Sequence, residues 1–103
     1  MEIITILNNN ALIAKEQGKR ETVVFGKGIG FQKRKGDIVD KDKIETIYVR
    51  SDDSFALSAS DIPYAFLKTT NEILLTAKQE GIENLKDSLF FSLADHLYMM
   101  KNV

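Results

Sequence analysis

"EIITILNNNALIAKEQGKRETVVF", Glu2 to Phe25, contains three short runs rich in Ile, Val, Thr and Leu, "EIITIL", "ALIAKE" and "ETVVF". They are separated by Asn8-Asn9-Asn10 and by Gln17-Gly18-Lys19-Arg20, which are turn chemistries between β-prone runs. A fourth run, "KIETIYVR" from Lys43 to Arg50, alternates Lys43, Glu45, Ile47 and Val49 against Ile44, Thr46 and Tyr48. Four antiparallel strands within residues 1–50 are predicted. Such a sheet has a face to bury, and this half holds no helix to cover it. The expectation is therefore a homodimer in which a second copy covers the sheet.

Residues 51–103 differ in kind. The first fifty residues carry ten Lys and Arg against seven Asp and Glu, whereas the remainder carries four against eight. Five of the six glycines lie in the first half. "SDDSFALSAS", Ser51 to Ser60, is small, polar and Ser-rich, as a linker is. Beyond it, Asp61 precedes Ile62-Pro63 as an expected N-cap with proline in the first turn. Ile62, Phe66, Thr69, Ile73 and Ala77 recur at helical spacing until Gly81 stops the run. Leu85, Leu89, Leu93, Leu97 and Met100 mark a second helix, while Leu74, Leu75, Phe90 and Phe91 are left wanting further partners. The fold class is thus α+β: a small dimerising β domain at 1–55, a linker at 56–60, and the start of a helical domain at 61–103.

Composition excludes several function classes. There is no cysteine and one histidine, His96, so a thiolate site, a disulfide framework and a His-rich metal cluster are all absent. No metal or cofactor is expected. The N-terminus has an acid at Glu2 and no basic region, unlike a signal peptide. No apolar run approaches the roughly 20 residues of a membrane span. A cytoplasmic protein is expected.

The segment "FGKGIGFQKRKGD", Phe25 to Asp37, mixes glycines, two phenylalanines and the cations Lys27, Lys33, Arg34 and Lys35. It is no nucleotide-binding loop, because the glycines at 26, 28 and 30 fit neither G-x-G-x-x-G nor G-x-x-x-x-G-K-[ST], and it lies among strands. A solvated glycine hairpin accounts for its composition alone. Its company points elsewhere: Asn8, Asn9 and Asn10 offer amides, the cations suit phosphates and Phe31 offers a platform, the mixture used on RNA loops. An enzyme using Asp95 and His96 is disfavoured, because adjacent helical side chains diverge and no nucleophile accompanies them.

Ile6 to Glu45 also resembles the RNA-binding, or co-antiterminator, domain of bacterial transcriptional antiterminators of the BglG, SacY and LicT type. The matching signatures are "LNNNA", "EQGKRE", "GKGIGFQKRKGD" and "VDKDKIET". Gly30 stands where many members carry alanine, at a cost expected to be little beyond loop flexibility, and Thr46 where lysine is common. The resemblance implies a dimer that binds a hairpin with internal loops in the leader of a sugar-utilisation transcript, so that a terminator does not form. It places RNA contacts on Asn8, Asn10, Gly26, Lys27, Gly28, Phe31, Gln32 and Lys33. Asn8 and Asn10 are expected on one side of an extended chain, and the glycines are expected to admit the RNA backbone. A dimerisation or sensing module without RNA binding is the alternative.

"DSLFFSLADHLYMM" resembles the start of the regulatory domain that the sugar phosphotransferase system phosphorylates, with His96 at the first regulatory histidine. Phosphotransferase donors would then be partners if the domain were complete. A complete domain is expected to run on by roughly another 60 residues. The chain is accordingly read as a fragment or a short form in which His96 is unable to act as a switch.

Overall fold

In the computed structural model, residues 1–16, 21–50 and 58–101 are described. The expected turn at 17–20 and most of the expected linker, including residues 56 and 57, lie outside them. The chain divides into two compact units, Met1–Asp52 and Asp53–Val103.

The first unit is built on four strands, β1 (Glu2–Asn8), β2 (Ala11–Lys15), β3 (Glu21–Phe25) and β4 (Thr46–Val49), in the order β1-β2-β3-β4 with every neighbouring pair antiparallel. The interior strands are apolar on both faces: Ala11, Leu12, Ile13 and Ala14 are all fully buried, as are Val23 and Val24. The edge strand β4 alternates instead, with Tyr48 buried and its neighbours Ile47 and Val49 exposed. It is shorter than the run "KIETIYVR", because Asp40 accepts from the Asp42 amide and caps a 3-10 turn at Lys41–Lys43. Two register shifts break the β1–β2 ladder, between Ile3 and Thr5 and between Ile6 and Asn8. Bulges of this kind twist a strand and re-aim its end; here the re-aimed end carries Asn8.

One face of the sheet is covered from within the unit, a cover that the expectation of burial by a second copy left out. Ile29 and Val39, from the connection between β3 and β4, pack with Ile3, Leu12, Ala14 and Val24, and Met1, Ile6 and Ile44 close the margin. The connection is fastened to β1 along its return: the Ile3 amide donates to the Asp37 carbonyl, the Gly36 amide to the Ile3 carbonyl and the Val39 amide to the Met1 carbonyl. On the other face, Phe25 meets Tyr48 edge to face with centroids 6.1 Å apart.

The second unit holds α1 (Tyr64–Gln79) and α2 (Asp87–Met100). Asp61 is not the N-cap of α1. Pro63 occupies that position, and Asp61 sits earlier, in a 3-10 turn at Ala59–Asp61 whose cap is Ser58. Gly81 does stop α1: at φ +92° it donates to the Lys78 carbonyl while the Ile82 amide reaches the Ala77 carbonyl, the paired bonds of a Schellman ending.

The apolar faces differ from those expected. The buried side chains of α1 are Leu67, Thr70, Asn71 and Leu74, about one residue out of phase with the predicted stripe, and Ile73 is exposed. Thr70 is buried without an orphan hydroxyl because it donates to the Phe66 carbonyl at 2.7 Å. On α2 the buried residues are Phe90, Phe91 and Ala94, whereas Leu89 and Met100 are exposed and Leu85 precedes the helix. Of the four side chains left wanting partners, Leu74, Phe90 and Phe91 are buried and Leu75 is exposed. No helix among the described residues is long and apolar enough to cross a membrane.

Candidate nucleic-acid interface

Two loops of the first unit meet at one end of the sheet. The first is the turn at Asn9 and Asn10 that joins Asn8, the last residue of β1, to Ala11, and the second begins where β3 ends at Phe25. Asn8 and Asn10 therefore do not share a side of an extended chain. The reason is local: the Asn8 side-chain oxygen accepts from the Asn10 amide at 2.7 Å, an asparagine-closed turn that folds the chain back.

The second loop is laid onto this turn by a regular set of bonds. Gly26, Gly28 and Gly30 donate in order to the Asn10 carbonyl at 2.9 Å, the Asn10 side-chain oxygen at 2.9 Å and the Asn9 carbonyl at 2.8 Å. Between them Ile29 is driven into the core, fully buried. The residues flanking this anchor are left outside: Lys27 and Gln32 are exposed, and Phe31 has 53% of its surface open. A phenyl ring more than half exposed forgoes much of the roughly 1.5–3 kcal/mol that full burial supplies. That exposure leaves about half of the residue's surface open to a partner.

The glycines have intramolecular reasons. A Cβ on Gly26 would lie 1.9 Å from the Lys43 carbonyl oxygen, and one on Gly30 would lie 2.3 Å from the Asn8 carbonyl oxygen. The space beside these two residues is filled by the protein's own backbone, which corrects the expectation that they admit a nucleic-acid backbone. It also changes the reading of Gly30, where alanine would push the asparagine turn away. Gly28 differs: its φ is +75° and nothing lies within 4 Å of where its Cβ would be, so of the three it alone presents an open flank.

Each predicted residue can now be placed. Asn8, Asn10, Gly26, Lys27, Gly28, Phe31 and Gln32 all fall on or beside this joined turn and loop, Gln32 with a positive φ of 56°. Asn8 and Asn10 each accept one internal bond on the side-chain oxygen, which leaves two N–H donors and a second oxygen lone pair on each for a partner. Lys33 is half-buried and its ammonium reaches the Ile38 carbonyl at 3.4 Å, while Arg34 and Lys35 beside it are exposed. Glu45 is a participant the sequence reading missed: its Oε2 accepts from the Lys27 amide at 2.9 Å. An acid among cations carries no sequence signal that marks it as a backbone acceptor.

In the second unit His96 is exposed on α2, and Asp95 is half-buried with Oδ1 buried and without a hydrogen-bond partner. Neighbouring helical positions diverge by about 100°, and no hydrogen bond joins the pair. Among the described residues no group of three or more His, Asp or Glu side chains is placed to hold a metal ion.

Residues 1–55 match the family described as the CAT RNA binding domain. Transcription antiterminator LicT of Bacillus subtilis (strain 168) is 37% identical over 102 residues, covering 94% of this chain and 36% of LicT. The beta-glucoside operon antiterminator of Dickeya chrysanthemi is likewise 37% identical, over 95% of this chain and 36% of its own length. Transcription antiterminator LacT of Lacticaseibacillus casei is 31% identical over 94% of this chain. The chain thus spans about a third of the length of these relatives. A solved structure of LicT in complex with its RNA target is 41% identical, covering 53% of this chain and all of that one, with a TM-score of 0.46.

Proposed function

Because the chain belongs to the CAT RNA-binding domain family, we propose that its first unit binds an RNA hairpin in a leader transcript and acts in antitermination of a sugar-utilisation operon. The observation that carries this reading is Phe31, exposed on a loop whose glycine amides are fastened to the asparagine turn and whose Ile29 is locked in the core. A rigid loop presenting an open ring, amide donors and cations suits unpaired bases and phosphates together. Phe31 is the stacking platform, Asn8 and Asn10 donate from their amides, and Gly28 is where the RNA comes closest to the loop backbone. Lys27, Gln32 and Lys33 contribute polar and charged contacts around the ring, and Gly26 holds the loop in place behind them. The contact surface is completed by a second copy of the chain. In the second unit, exposed His96 is the residue that would take a phosphoryl group from phosphotransferase donors where the full regulatory domain is present.

The test is binding to leader hairpins with internal loops, the RNA target of LicT among them, against versions in which the internal loops are closed by base pairing. Tight binding to an open-loop hairpin that is lost on closing the loops is expected. Equal affinity for both forms would leave only charge attraction to the RNA backbone and remove the proposed base-reading role.

A further inference from the structure

We infer that Glu45 is a positioning residue for the RNA-contacting loop, holding the Lys27–Gly28 backbone in its presented conformation together with Asn10; this rests on the RNA-binding reading above. Consecutive loop amides are taken by two side-chain acceptors from distant parts of the chain, Lys27 by Glu45 Oε2 and Gly28 by Asn10 Oδ1, each at 2.9 Å. The segment leading to Glu45 is fixed against the start of the same loop. The Glu45 amide donates to the Phe25 carbonyl at 2.9 Å, and the Lys43 carbonyl fills the place where a side chain on Gly26 would stand. Segment 43–45 is therefore a wall for the loop, and the Glu45 carboxylate is its outermost grip.

The chemistry makes the role separable from charge. Glu45 is exposed, so water would satisfy the Lys27 amide if the carboxylate were absent. What the carboxylate adds is direction, since it fixes the peptide plane between Gly26 and Lys27 and with it the path of the chain into Gly28. Without that grip Gly28, at φ +75°, has several other conformations open to it. An anionic side chain beside a polyanion-binding loop also repels the ligand. Simple electrostatics thus predicts that removing Glu45 strengthens RNA binding, whereas positioning predicts that it weakens it.

Glu45→Ala and Glu45→Gln separate the two in the full chain. Alanine removes acceptor and charge together; glutamine removes the charge and keeps an acceptor oxygen. The expected result is that Glu45→Ala weakens affinity for an open-loop leader hairpin by about tenfold, the worth of one hydrogen bond to a charged group, while Glu45→Gln binds at least as tightly as the parent. Without RNA, hydrogen exchange at the Lys27 amide is expected to speed up in Glu45→Ala and to stay at the parental rate in Glu45→Gln. Affinity in Glu45→Ala equal to or above that of the parent overturns the positioning role and leaves RNA binding standing. Unchanged Lys27 exchange in Glu45→Ala overturns it independently of any RNA. A parent chain that binds no hairpin would instead bring down the RNA-binding reading, with the exchange measurement still reporting on the grip itself.

Discussion

Asn10 serves two directions at once, and that division sets what its substitution will do. Its side-chain oxygen faces inward to the Gly28 amide, so alanine both frees the loop and deletes two donors. Asn10→Asp keeps an acceptor for Gly28 but removes the donors and adds a negative charge. If the amide reads RNA, both variants are expected to lose hairpin affinity, while only alanine speeds hydrogen exchange at Gly28. Aspartate binding as tightly as the parent would reduce Asn10 to a loop fastener. Phe31→Ala is expected to cost about 1–3 kcal/mol of hairpin affinity, the usual worth of one base–aromatic stack, and to lower thermal stability less than loss of a core phenylalanine would, because the residue is 53% exposed. Lys78→Ala, on exposed α1 surface, is the control and should change neither. Amides, cations and Phe31 among glycines are visible in the sequence, and the structure gathers them on one turn and loop. Which atoms are spent internally was not visible, because a side-chain oxygen bonded to an amide eighteen residues away leaves no trace in local spacing.

At the level of elements, the strands were legible because both local signals agreed. Turn residues separate β-branched runs; the burial of Ala11–Ala14, Val23 and Val24 on both faces goes beyond the single buried face expected. The connection from β3 to β4 was not legible as a cover for the sheet. Its two core residues, Ile29 and Val39, lie ten residues apart in a stretch of glycines and charges and follow no period. The phase of α1 was misread for the opposite reason. Apolar residues lie on several of its faces, and two of the four buried positions, Thr70 and Asn71, are polar, so hydrophobic spacing could not choose the stripe. The Gly81 stop was readable, and the structure gives it a quantity. Gly81→Ala places a Cβ at φ +92° and is expected to destabilise the second unit by about 1–2 kcal/mol, read as a lowered melting temperature. Ser58→Ala and Asp61→Ala are expected to differ in the sense that only the first removes a side-chain cap.

The whole molecule divides its charge as it divides its fold, with the positive excess in residues 1–50 and the negative excess beyond. The cations around the loop are expected to make hairpin affinity fall with salt by a slope of about 0.7–0.9 per phosphate contact, whereas the Phe31 contribution should persist at high salt. Self-association belongs to this scale as well. The full chain is expected to sediment at twice its chain mass, and a concentration-independent monomer would contradict the proposed dimer. Where the RNA lands on the chain decides between base reading by the turn and loop and simple charge attraction. Amide chemical shifts of the isotope-labelled chain, followed as an open-loop leader hairpin is added, report this directly. The predicted result is that the largest changes gather at Asn10, Lys27, Gly28, Phe31 and Gln32, with α2 unaffected. Changes centred on the helices, or spread evenly over surface lysines without the turn and loop standing out, would contradict it.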